Sequence, residues 1–238
     1  MLHDPHFRRR ALLPLAALIV FILWNTPQLS FVLYPFRLFV TYVHEAGHGL
    51  AAILTGGRLL EFHVFPDGSG VATTAGGLRA VILPAGYLGA ALFGALLFFV
   101  ANRFPFSRTL SAVIGVLLIG FTLLFGLSSI VAVLVGLAFG AALLALARFA
   151  SRDINLIVLN ILALLTGLNA VLDLWLLTQF SDVRLGELHN DAAAFARDVI
   201  PFTPAWLWAG LWALLAVLML AAAAWYSIVH PLRRRPPA

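Results

Sequence analysis

Long apolar stretches separated by short polar clusters recur along nearly the whole chain. Seven are long enough to cross a bilayer as helices, over roughly 11–30, 34–55, 79–101, 109–126, 129–148, 154–179 and 204–229. The uncharged run between Arg108 and Arg148 would be ~60 Å long as one helix, about twice the hydrocarbon thickness. It must turn, and Gly126-Leu127-Ser128-Ser129 supplies the residues to do so. At the N-terminus, Arg8-Arg9-Arg10 precede the apolar run Ala11 to Trp24, as in a secretory leader. No small-residue cleavage site follows, so the run reads as a retained first span. The pattern predicts one all-α polytopic membrane domain over 1–238.

Two segments depart from this pattern. Between Gly56 and Gly77, Leu60, Phe62 and Val64 alternate with Glu61, His63 and Phe65. Pro66-Asp67-Gly68-Ser69-Gly70 has strong turn chemistry, and Val71, Thr73 and Thr74 suit a returning strand. A β-hairpin over 58–75, at or dipping into the membrane surface, is expected. The other segment, 180–203, is polar and carries Asp182, Glu187, His189, Asp191 and Asp198.

Composition agrees: 62% of residues are hydrophobic and 11% charged, far from the balance of a soluble domain. Its fifteen basic residues are all arginine, set mainly at span ends and tails. That placement suits lipid headgroups and not nucleic acid, which asks for a clustered basic face. The arginines divide almost evenly between the two sides, so their bias does not orient the chain. Without cysteine, disulfides, thiolate metal sites and cysteine nucleophiles are excluded. Arginine used without lysine fits a GC-rich bacterial genome, and a multi-pass protein of the cell membrane is expected.

Within the second stretch stands His44-Glu45-Ala46-Gly47-His48. Two histidines four apart share one helix face and can bind one Zn2+, and Glu45 between them can take a proton from a polarised water. Ionisable groups at mid-span cost ~2.5–3.5 kcal/mol each, so the cluster demands a compensating partner. A metal is one such partner; hydrogen bonding of both imidazoles between helices is the plainer alternative. His3, His6, His63 and His230 lie at interfaces or tails and are assigned no role.

A catalytic zinc keeps three protein ligands and an open position. Asp173 is the leading candidate for the third, being the only acid within a span after the histidines. Asn169, one turn earlier, could orient it or hold a substrate carbonyl. His48 and Asp173 each lie ~10 Å from the end of their span, and with three spans between them the two helices run parallel, at one depth. Glu187, His189 and Asp191 are the competing ligands.

The stretch FVTYVHEAGHGLAAILTGGRLLEF, followed by Ala85-Gly86-Tyr87-Leu88-Gly89, resembles the site-2 protease family of intramembrane zinc metalloproteases, in its compact bacterial branch without a PDZ domain. The resemblance implies His44 and His48 as zinc ligands, Glu45 as catalytic base and an aspartate of a later span as third ligand. That aspartate usually stands in an LDG motif; here Leu172-Asp173 is followed by Leu174, and three spans separate the two motifs where the family core has one. The expected activity is hydrolysis of peptide bonds in transmembrane protein substrates. A catalytically silent membrane protein that binds or chaperones other membrane proteins is the alternative. A transporter is disfavoured by the absence of related halves.

Overall fold

A computed structural model describes residues 5–180 and 190–230. All seven apolar stretches are helical: α1 Pro5–Asn25, α2 Ser30–Leu54, α3 Arg79–Arg103, α4 Ser107–Phe125, α5 Ile130–Phe149, α6 Arg152–Phe180 and α8 Ala205–Ala224, the last continued by a π turn over Trp225–Val229. The polar segment contributes a short α7, Asp191–Asp198. The break between α4 and α5 falls at 126–129, as expected.

The expected count of about seven spans is approximate, and the difference lies at the N-terminus. Among the described residues five helices are individually long and apolar enough to cross a membrane: α3, α4, α5, α6 and α8 with its π turn. α1 and α2 form a pair bent by 100°, which makes at most a sixth, broken span. Pro27 causes the elbow. It confines Thr26 to an extended conformation (φ −117°, ψ 94°), so α1 stops at Asn25, whose amide donates back to the Phe21 carbonyl at 2.8 Å.

Among these five helices α3 and α6 are the most deeply buried and α4 and α8 the least. They approach closely where Gly94 meets the backbone of Gly167; a Cβ on Gly94 would stand 2.7 Å from the Gly167 nitrogen. Nearer their other end the Asn102 amide donates to Asn160 at 2.6 Å, joining the same helices through a polar pair inside an apolar interior.

The hairpin forms as β1 Arg58–Val64 and β2 Gly70–Ala75, antiparallel, running from Arg58 opposite Ala75 to Val64 opposite Gly70. Gly68 takes φ +90° in the turn, and Asp67 accepts from the Ser69 N–H at 2.8 Å. Phe62 and Val64 are buried as the alternation predicts, but Leu60 is exposed, because a bulge between Leu59 and Glu61 breaks the period there. The Phe62 ring packs edge-on to Tyr42 of α2 (4.9 Å) and Phe121 of α4 (5.3 Å). The hairpin is thus wedged into the bundle between α2 and the α4–α5 pair.

Candidate metal centre

α2 carries the two histidines because nothing after Pro35 interrupts it and its apolar face (Leu38, Phe39, Tyr42, Val43) is buried. One helical turn apart, His44 and His48 direct their Nε2 atoms to the same point, 3.1 Å from each other. The His48 Nδ1–H donates to the Ile82 carbonyl of α3 at 2.7 Å, which leaves Nε2 with a free lone pair. Edge-on contact with Tyr87, centroids 4.5 Å apart, orients the His44 ring. α3 comes this close because Gly86 has no side chain: a Cβ there would stand 2.4 Å from both Nε2 atoms.

α7 brings the third group. Asp191 Oδ2 lies 3.2 Å from Nε2 of His44 and 3.2 Å from Nε2 of His48, and the ligand atoms of the three all fall within 4.8 Å of one another. Asn190 caps α7, its side chain accepting from the Ala193 N–H at 2.8 Å. Ala192, Phe195 and Ala196 form the buried face, with Phe195 against Trp208 (4.6 Å) and Trp212 (5.4 Å) of α8. Asp198, at the far end, pairs with Arg79 at the head of α3 and with Arg197. Burial alone would raise the Asp191 carboxyl; the two imidazoles outweigh it and hold that group well below the usual carboxylate range. Its position in the first turn of α7 also favours the anion.

The set fits a cation. Ligand atoms ~2.0–2.1 Å from a tetrahedral zinc stand ~3.3 Å apart, close to the 3.1 and 3.2 Å separations here. Two imidazole lone pairs and a carboxylate converging on one point, with room kept by Gly86, form a donor set that zinc suits. Glu45 stands beside the group without joining it. It is buried, within electrostatic reach of all three residues, and its carboxylate lies beside the backbone of Ala72 in β2. Gly70 makes room for it, since a Cβ there would lie 2.7 Å from Glu45 Oε1.

A profile of the Peptidase M50B-like family matches residues 13–223, from α1 to the end of α8. The chain belongs to that family. The M50 peptidase family is zinc-dependent, in accord with the resemblance carried by His44 to Arg58. No curated protein and no solved structure matches this M50B-like chain significantly.

Of the residues expected from sequence, His44, Glu45 and His48 come together, and Asp173 does not join them. It lies exposed on α6, outside the three-residue group. Equal depth on straight spans does not select the third group, because the M50B-like chain folds a polar segment back into the bundle and offers Asp191 from it. Asn169 donates its amide to the Leu165 carbonyl of its own helix at 2.7 Å, leaving its oxygen and its second N–H for another partner. Glu187 and His189 lie outside the described residues. A signal for α7 was present: Asn190 is a good cap, and Ala192, Phe195 and Ala196 follow at the i, i+3, i+4 spacing of a buried helix face.

Proposed function

We propose that this M50B-like chain is an intramembrane zinc metallopeptidase that hydrolyses peptide bonds of membrane-embedded protein substrates, with His44, His48 and Asp191 as zinc ligands and Glu45 as general base. The observation that carries the reading is the meeting of both Nε2 atoms with the Asp191 carboxylate, Glu45 being buried alongside. Bound there, zinc supplies Lewis-acid polarisation of a water and of the scissile carbonyl. The residues do the rest. Glu45 takes the proton of the attacking water and returns it to the departing amine. Glu45 is held close against β2 at Gly70, and the His48–Ile82 hydrogen bond fixes the imidazole.

A substrate helix must open before its backbone can reach the site, since each carbonyl is already bonded within the helix. The β-hairpin supports an extended presentation of the opened segment. Gly70 and Ala72 of β2 lie against Glu45, so a strand laid along that edge would run past the base.

Metal analysis of the purified protein tests the reading. We expect about one zinc per chain, lost in the double variant His44→Ala, His48→Ala and kept in Glu45→Gln. Comparing membrane-protein N-termini in cells expressing wild type or Glu45→Gln should reveal fragments present only with the wild type. Metal-free wild type, or identical fragments from both, would refute it.

A further inference from the structure

The two-stranded sheet has two outer edges, and they meet different parts of the bundle. On the β1 side, the Ser128 hydroxyl donates to the Phe62 carbonyl at 3.2 Å and the Ser129 hydroxyl to the Val64 carbonyl at 3.0 Å. The Val64 N–H in turn donates to Ser129 Oγ at 3.2 Å. On the β2 side, Gly70 lies so close to Glu45 that a Cβ there would stand 2.7 Å from its Oε1, and the Ala72 backbone follows beside the same carboxylate. The register explains why. Phe62 stands opposite Ala72 and Val64 opposite Gly70, and residues facing one another in such a pair turn their backbone groups the same way relative to the ladder, here outward.

Ser129 is buried and also begins α5, accepting from the Ala132 N–H at 3.2 Å. It therefore ties the outer edge of the hairpin to the first turn of a helix. The end of α4 grips the same region, where the Tyr42 and Thr122 hydroxyls meet at 2.7 Å and Phe62 lies between Tyr42 and Phe121. Tyr42 is three residues before Glu45 on α2, so the α4–α5 pair holds both the strand and the helix that meet at the base.

We propose that Ser129 is a positioning residue: by fixing the outer edge of β1, it holds the opposite strand, β2, against Glu45. The strands of a sheet are ~4.8 Å apart and move together through their ladder, so a displacement of Val64 is passed to Ala72. The catalytic consequence rests on the metallopeptidase reading above; the hold on the hairpin does not.

The test uses the full chain in detergent micelles, with Ser129→Gly and Ser129→Thr. Glycine begins a helix nearly as well as serine, so α5 keeps its start while Val64 loses both partners. In the glycine variant, amide exchange across 58–75, Ala72 included, should speed up roughly ten-fold or more. Zinc content should stay at the wild-type level. For a membrane substrate found by the N-terminal comparison, kcat should fall about ten-fold. Threonine, which keeps the hydroxyl, should restore slow exchange and turnover.

Unchanged exchange at Ala72 in Ser129→Gly overturns the proposal, as does an identical response to glycine and threonine. Faster exchange with unaltered kcat overturns it too. Wild type without zinc or cleavage would instead strike the metallopeptidase reading, and Ala72 exchange would still decide the role of Ser129.

Discussion

Replacing Gly86 by alanine probes the meeting of α3 with the two histidines. The new methyl would stand 2.4 Å from Nε2 of both His44 and His48, where ordinary contact begins at 3.4 Å, so each ring must yield by about 1 Å. Ring ends move more easily than backbone, and the penalty in fold stability should therefore lie at the low end of the ~1–3 kcal/mol that overpacking costs. His48 can yield only by straining its bond to the Ile82 carbonyl, worth ~0.5–1.5 kcal/mol. The cost to the site is larger, because a misplacement of ~1 Å in a catalytic constellation lowers turnover ~100-fold. Gly86→Ala should thus fold, melt only slightly earlier in detergent, lose most of its zinc in chelator competition, and cleave ~100-fold more slowly. Gly89→Ala, one turn along the same helix, is the control: its Cβ would meet the Gly47 Cα at 3.4 Å, an ordinary contact. A Gly86→Ala protein with wild-type zinc affinity would refute the convergence of both Nε2 atoms against α3.

Asp191→Ala should weaken zinc binding by at least the ~10–100-fold typical of losing an outer-shell partner, with Asp173→Ala close to wild type; the reverse order in chelator competition would return the third ligand to α6. Ala72→Pro removes an outward N–H of the edge beside Glu45 while sparing the ladder to β1, so zinc should remain as cleavage falls; undiminished cleavage would dismiss the strand edge. The pairing of Asp198 predicts a pH dependence. Arg197 first, and Arg79 with it, hold the Asp198 carboxyl below its usual range, so its contribution to docking α7 is full above the ordinary carboxylate value of ~3.9 and is lost as pH falls through the lower folded value. Emission from Trp208 and Trp212, which pack on Phe195, should stay constant from neutral pH to about pH 5 and change on stronger acidification, at a higher pH in Arg79→Ala.

How much of this was legible depended on how local the cause was. The histidine pair and Glu45 were readable because a spacing of four along one helix fixes their geometry. The break at Gly126 to Ser129 followed from length alone, as no helix of ~60 Å fits the bilayer. Hairpin ends were set by Pro66 to Gly70, but the bulge that turns Leu60 outward depends on pairing with β2 and left no mark in the alternation. The elbow at Thr26 could have been found from Pro27, yet hydropathy runs past it on both sides. Asp191 was the least legible, since it reaches the histidines through the docking of α7 between α3 and α8, a tertiary event that no spacing records.

That docking has a further consequence. The histidines and Asp191 are separated by ~140 residues of chain, and nothing covalent joins them. A metal held by all three acts as a clasp on a very long loop, in the manner of a cross-link that restricts the unfolded chain, and such clasps gain strength slowly with loop length. Metal loading and tertiary assembly of the C-terminal third are then one equilibrium seen from two sides. A chain that has not yet acquired its ion would leave α7 the freest element of the bundle, and proteolytic nicking near Asn190 would report how many molecules in a membrane are still waiting for one.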